Sequence, residues 1–397
     1  MGPDNRGHAG SPDEARAFPE RNGKSLDRGL DDTQTGGGMT AYEALRANPE
    51  FAALRTVSTR LGLDPLQVQG PGGNTSIKSG GIMWVKASGT WLADAEAQDI
   101  FVPVDYNGLT QAIVANDESA DDVGPFTHAS ENPSGLRASI EATVHASSPA
   151  KVVLHTHCVA TIAAAIRKDA PAFLAEKLAG LSFAFIPYTK PGSGLARAIR
   201  AHAPAGTEIL VLGNHGLVVC GETVAEADSL LREVSARLTP TTKADPADAS
   251  PALKDRLSGT GWMPVPHRPT QRIALDERLL KVADGRTLYP DHLVFLGPGV
   301  TIAMPSETVS QAVARAAQSL FPSKLVIVPG HGVAMPETAS RSELALASAF
   351  GDVLARVDPN ASVTRLSRDQ EAELLDWDAE TYRKSLNKEQ STQRHVT

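Results

Sequence analysis

The stretch Val152-Val153-Leu154-His155-Thr156-His157 constrains this chain more than any other. An apolar, β-branched run of this kind predicts a buried strand. Side chains alternate along a strand, so positions i and i+2 face the same way. His155 and His157 therefore project from one face, close enough to share one metal ion. Alone, the pair is a modest signal in a chain with 11 His. It reads equally well as two partly buried histidines at a strand end, and its neighbours must decide.

The chain is long enough, at 397 residues, for two domains or for one large unit with extensions. Hydrophobic content of 41% and charged content of 21% fit a globular protein with a sizeable core. The net charge of -8 argues against a nucleic-acid partner. No apolar run approaches the roughly 18–20 residues that span a bilayer, and the N-terminus has no apolar signal core. With only two cysteines, Cys158 and Cys220, far apart in sequence, the expectation is a reducing, cytoplasmic setting rather than a disulfide scaffold.

Residues 1–38 are rich in Gly, Asp and Arg and hold almost no large apolar residues, which predicts a disordered tail. Met39 reads as a natural initiator at the head of a helix. Residues 40–62 have helical periodicity. Gly73-Asn74-Thr75-Ser76 then reads as a turn whose backbone amides can approach an anion, and Ser88-Gly89-Thr90 as a second such turn. Strands are predicted over 82–87 and 101–104, and a loop over 115–132. A helix is predicted over 136–146, placing Glu141 and His145 at i and i+4 on one face. Such a Glu is ordinarily a solvated surface group, but here it directly precedes the strand bearing the histidines. Helices follow at 159–168, 195–202 and 223–238, with a strand at 183–187. Ile209-Leu-Val-Leu-Gly-Asn214-His215-Gly216-Leu-Val-Val reads as strand, tight turn and strand, with His215 at the turn.

The first region thus spans 39–240. Residues 241–270 read as a linker, rich in Thr, Ala, Asp and Pro. A second αβ region over 271–360 partly repeats the first, since Gly330-His331-Gly332 recurs between apolar runs and before a helix. Residues 361–397 predict a helix near Leu374–Trp377 and a polar tail. His331 lacks a His-x-His companion and reads as structural.

Three histidines, a preceding Glu and two small-residue turns form one kit. His155, His157 and His215 offer three neutral nitrogens to Zn²⁺ or another divalent metal and leave a position open. Such an ion is a Lewis acid, a nearby Glu141 can move a proton, and the small-residue turns can hold a phosphate.

The segment from about 65 to 240 resembles the class II aldolase/adducin family. The resemblance is carried by Gly73-Asn74-Thr75-Ser76, Ala87-Ser88-Gly89, Ser139-Ile140-Glu141 with His145, His155-Thr156-His157 and Asn214-His215-Gly216. With Tyr289-Pro290-Asp291-His292 and Leu374-Leu375-Asp376-Trp377, the full length is similar to the aldolase portion of bifunctional rhamnulose-1-phosphate aldolase/alcohol dehydrogenases. The resemblance implies an α/β fold, an αβα sandwich around a mainly antiparallel sheet, in a homo-oligomer that is often a tetramer. By position it implies His155, His157 and His215 as metal ligands, Glu141 as catalytic acid/base, and Gly73, Asn74, Ser88, Gly89 and Ser139 at a phosphate site. Ile140 replaces the second serine of the family's pair. No proton-donor tyrosine is assigned, since Tyr188, the first after His157, lies at a strand end.

The implied activity is a metal-dependent lyase that cleaves a ketose 1-phosphate of rhamnulose or fuculose type to dihydroxyacetone phosphate and an aldehyde. Two alternatives remain. One is a sister reaction of the family on a sugar phosphate (epimerase, dehydratase or decarboxylase). The other is a non-catalytic adducin-like scaffold.

Overall fold

In the computed structural model, which describes residues 39–241, 245–318, 321–358 and 360–375, the run Val152–Thr156 is the central strand of a seven-stranded sheet. Its strands are β1 (Asn74–Ser79), β2 (Ile82–Lys86), β3 (Phe101–Asp105), β4 (Val152–Thr156), β5 (Phe183–Ile186), β6 (Ile209–Leu212) and β7 (Gly216–Gly221). They lie in the order β3-β2-β1-β4-β7-β6-β5. Every neighbouring pair is antiparallel except β5 and β6. Local chemistry sets the tight corners. Gly80 and Gly81, both at positive φ, make the two-residue corner between β1 and β2. Between β6 and β7, Asn214 takes the left-handed conformation at φ 54°, which Asn tolerates better than most residues.

Helices α1 (Ala41–Arg46), α2 (Pro49–Leu63), α3 (Tyr106–Ala115), α4 (Ala142–Ala146), α5 (Val159–Ala165), α6 (Ala170–Lys177), α7 (Ser193–His202) and α8 (Val224–Leu238) surround this sheet. The period of two along β4 divides the core. Val152 and Leu154 join Leu54 and Leu61 of α2 and Leu231 of α8. Val153 joins Val144 of α4 and Leu195 of α7 on the opposite face. The result is the expected αβα sandwich around a mainly antiparallel sheet. His155 shares the parity of Val153 and so lies toward α4.

A second, four-stranded sheet contains β8 (Trp262–Pro264), β9 (Thr301–Ile302), β10 (Val326–Val328) and β11 (Gly332–Pro336), in the order β8-β11-β10-β9. Its helices are α9 (Pro251–Leu257), α10 (Arg268–Arg272), α11 (Glu277–Ala283), α12 (Pro290–Leu296), α13 (Val309–Ala317), α14 (Arg341–Leu354) and α15 (Arg368–Leu375). Capping boxes start both long helices that follow a hairpin, Thr223 with Glu226 at α8 and Ser340 with Glu343 at α14. Val159, Ile162 and Ile166 from the α5 segment share one core with Ile327, Val333 and Phe350. Helix α5 of the first region thus shares an apolar cluster with the second sheet.

Three expectations need correction. Asn74-Thr75-Ser76 is not a turn: it opens β1, with the turn immediately before it. The helix expected over 136–146 is confined to Ala142–Ala146. Ala138 instead bridges to Ala87, and Ser88 N–H donates to Arg137 O at 2.9 Å, so the segment before Glu141 is held extended. Ser139 Oγ also accepts from Glu141 N at 3.3 Å, a capping bond that suits a helix beginning after Ser139 and not one running through it. The linker expected over 241–270 carries α9, β8 and the start of α10, and β8 pairs with β11. Strands of two or three residues leave no periodic signal. The C-terminal helix is described only to Leu375, so Trp377, like the tail at 1–38, lies outside the described residues.

His292 on α12 gives this second region a pH dependence. It is 1% exposed and donates from Nε2 to Gly299 O at 3.0 Å, while Nδ1 has no partner among the described residues. Burial pushes it from 6.5 down to about 4. In the unfolded chain it takes up a proton near pH 6.5, whereas the folded chain resists protonation until about pH 4. The unfolded state therefore binds more protons across that window, and stability falls as pH drops through it. The expected loss is roughly 2 kcal/mol at pH 5 relative to pH 7. Denaturant unfolding at both pH values should show a smaller difference in His292→Asn; an unchanged difference would remove His292 as the cause.

Candidate metal centre

His155 lies near the end of β4, and His157 lies one residue beyond it. His215 comes from the turn between β6 and β7, next to that strand end. The three rings form a near-equilateral triangle, with centroid separations of 5.0, 5.0 and 5.1 Å. Glu141, delivered by the extended segment ahead of α4, sends Oε1 to 3.3 Å from His155 Nε2 and 3.4 Å from His215 Nε2. Ligand atoms of all four residues lie within 4.8 Å of one another.

Hydrogen bonding explains which nitrogens point inward. His155 Nδ1 is 2.9 Å from Leu217 O, and His157 Nδ1 is 2.7 Å from Asp291 Oδ2. A carbonyl and a carboxylate accept only, so both Nδ1 atoms carry the proton. The Nε2 lone pairs are thereby freed and directed into the cluster. Both Nε2 atoms are buried and have no hydrogen-bond partner among the described residues. A buried polar atom left in this condition costs about 1–3 kcal/mol. A cation bound by the cluster would satisfy both atoms. Four ligands at about 2.1 Å in a tetrahedron sit about 3.4 Å apart, close to the separations of Glu141 from His155 and His215. The donor set therefore fits a divalent ion such as zinc.

The electrostatics agree at Glu141 and His215. Burial raises the Glu141 carboxyl, but His155 and His215 outweigh it and hold the group well below its ordinary range. Burial depresses His155, yet the neighbouring Glu141 carboxylate outweighs this and raises it. These two shifts are one attraction seen from either side. Burial takes His215 down to about 4 and so keeps it neutral. An ionised Glu141 and a neutral His215 are the forms a metal requires, whereas His155, whose protonated form Glu141 favours, would give up a proton on binding one. His145, also driven well below its ordinary value by burial, sits nearby with Nδ1 2.7 Å from Ser76 Oγ, outside the four-residue cluster.

The cluster opens into a cleft that Ser88, Gly89 and Ser139 line together with Glu141, His157 and His215. Gly73 and Asn74 stand behind this lining. Gly73 adopts φ +66°, and a Cβ there would approach Val68 Cγ2 to 2.9 Å and His155 O to 3.1 Å. Asn74 faces His155 across the β1–β4 ladder and is fully buried, with neither side-chain amide atom partnered among the described residues. Tyr188 follows β5 and packs against Leu293 and Leu374, with its hydroxyl buried, and it is not among the residues lining the cleft.

Lys86, Pro290 and Asp291 are among the lining residues not anticipated as site residues. Lys86 ends the buried β2 strand at 2% exposure and donates from Nζ to Pro71 O at 3.0 Å and Thr90 O at 2.9 Å. A lysine closing the apolar run Met83-Trp84-Val85 was the available signal. Pro290 and Asp291 arrive from α12, and no local pattern in the sequence places them here.

Comparison with known proteins finds that the same stretch matches a family model. Residues 55–237 match the model described as "Class II Aldolase and Adducin N-terminal domain". An "Uncharacterized oxidoreductase YuxG" from Bacillus subtilis (strain 168) is 32% identical over 184 residues, covering 42% of this chain and 26% of that protein. The match thus spans about a quarter of that relative's length. The N-terminal class II aldolase domain of a conserved protein from Thermoplasma acidophilum aligns with a TM-score of 0.42 at 25% identity, over 52% of this chain and 97% of that one. L-Fuculose-1-phosphate aldolase from Thermus thermophilus aligns with a TM-score of 0.34 at 19% identity, over 48% and 91%. Among the described residues no helix is long and apolar enough to cross a membrane.

Proposed function

Because residues 55–237 match the class II aldolase and adducin family model, we propose that this chain is a divalent-metal-dependent lyase that cleaves a ketose 1-phosphate of rhamnulose or fuculose type. The products are dihydroxyacetone phosphate and an aldehyde. The observation that carries the reading is the convergence of Glu141 with His155, His157 and His215 at the mouth of a cleft lined by small polar residues.

His155, His157 and His215 hold the ion, with zinc as the first choice for three imidazoles. Bound there, a divalent cation supplies Lewis acidity toward the substrate's carbonyl and neighbouring hydroxyl oxygens. Ser88, Gly89 and Ser139 take the phosphate, with Gly73 and the unpartnered Asn74 amide completing that subsite. Glu141, ionised beside the histidines, accepts the proton of the C4 hydroxyl. The C3–C4 bond then breaks, the C4 fragment leaves as the aldehyde, and the electron pair on C3 takes up a proton. A cytoplasmic homo-oligomer belongs to the same proposal, and sedimentation velocity reads the assembly directly.

The test is product analysis by mass spectrometry. The purified chain is incubated with a panel of ketose 1-phosphates, with and without chelator. Chelator-sensitive release of dihydroxyacetone phosphate is the expected result, and the cleaved substrate names the sugar. Isomerised, dehydrated or decarboxylated products would instead assign a sister reaction to the same residues.

A further inference from the structure

We propose that Asp291, at the start of α12, is a positioning residue of the metal centre, supplied by the second region of the chain. Its carboxylate accepts the proton-bearing Nδ1 of His157 and aims Nε2 at the ion. The proposal rests on the reading that His157 is a metal ligand.

The pair is 2.7 Å apart, spans 134 positions of sequence, and has side chains only 5% and 6% exposed. A carboxylate on the outer nitrogen of a metal-bound imidazole fixes the tautomer, locks the ring orientation and strengthens the inner nitrogen as a donor. His155 gets the corresponding brace from Leu217 O within its own sheet. His157 lies one residue beyond the end of β4 and takes its acceptor from α12.

Two further observations tie the second region to this site. Gly72 passes directly over the pair: a Cβ there would stand 2.9 Å from His157 Nδ1 and 3.1 Å from Asp291 Oδ2. Only bare backbone fits at that point. Asn214, beside His215, donates from Nδ2 to Leu288 O at 2.8 Å and to Thr364 O at 3.0 Å. The turn that presents His215 is therefore fastened to the segment that leads into α12. Two of the three histidines depend for their placement on residues outside 55–237. The second region is on this view part of the metal site, not an appendage to it.

The experiment uses the full chain as wild type, His157→Ala, Asp291→Asn and Asp291→Ala. Each is stripped with chelator and titrated with Zn²⁺ against a chromophoric competitor. The visible spectrum of each Co²⁺-loaded protein is recorded, and circular dichroism confirms the fold. Asp291→Asn and Asp291→Ala should bind the metal about 10- to 100-fold more weakly than wild type, and their Co²⁺ bands should shift. If Asp291→Ala does not fold, the near-isosteric Asp291→Asn decides. A residue with a merely structural role would lower the melting temperature but leave the affinity and the Co²⁺ spectrum of the folded protein unchanged. That result, alongside metal loss in His157→Ala, would overturn the role of Asp291 and leave the metal reading standing. A wild-type chain that takes up no metal would overturn both.

Discussion

His157→Ala should reduce bound metal from about one ion per chain to near zero and take turnover down with it. Three inward nitrogens and one carboxylate oxygen form the cluster, and His157 is the member whose outer nitrogen is tied to Asp291. Removing its ring deletes a ligand and opens the cluster toward the cleft, where water can enter. The electrophilic contribution of the ion to a reaction of this type is worth several kcal/mol. At 1.36 kcal/mol per tenfold, that corresponds to a loss on the order of 10³-fold in rate. Metal content by mass spectrometry after desalting reads the first effect, and chelator-sensitive turnover reads the second. Circular dichroism controls for the fold, since the substitution leaves the Asp291 carboxylate without its imidazole; that carboxylate borders the cleft and can be hydrated there. One ion per chain retained in a folded His157→Ala protein would remove this residue from the ligand set.

What was readable in the sequence depended on how far each contact reaches along the chain. The β4 strand was readable because Val152, Val153 and Leu154 are buried on both faces, and the His155–His157 parity follows from the strand's period of two. His215 was readable because a Gly-Asn-His-Gly corner between two apolar runs allows few backbone paths. Glu141 was placed beside the histidines for an incomplete reason. A helical i, i+4 face was expected, but the residue stands just ahead of α4. It reaches the histidines because Arg137 and Ala138 are pinned to the end of β2. That pinning joins segments 50 residues apart, and no local periodicity encodes it. Lys86 was hidden by its place in an apolar strand, where it is held by two carbonyls. Asp291 was noticed as part of a motif but given no role, because its meaning lies in docking across 134 positions. Gly73 and Asn74 show the opposite difficulty. Their composition suggests a turn, and the ladder to β4 takes Asn74 into a strand instead.

Glu141→Gln separates the carboxylate's two possible duties, holding the ion and moving the proton. Gln has nearly the same shape and can still present an oxygen to the cluster, but it cannot accept a proton at neutral pH. The native carboxylate is held well below its ordinary range because the attraction of His155 and His215 exceeds the penalty of burial. It is therefore ionised and available as a base across the neutral range. Loss of a positioned general base costs about 10²–10⁴-fold in rate. The expected outcome is a kcat reduced by that factor, KM changed little, and metal content close to wild type, because three imidazoles remain. A different pattern would reassign the residue. If turnover in Glu141→Gln recovers when excess Zn²⁺ is added, the carboxylate serves the ion rather than the proton. If kcat stays within a small factor of wild type with metal in place, another group takes the proton. Tyr188 would not be the first candidate, since burial raises its hydroxyl above the ordinary tyrosine range and it packs against Leu293 instead of lining the cleft. The next substitutions would then fall on Lys86 and Ser139, which line the cleft with Glu141.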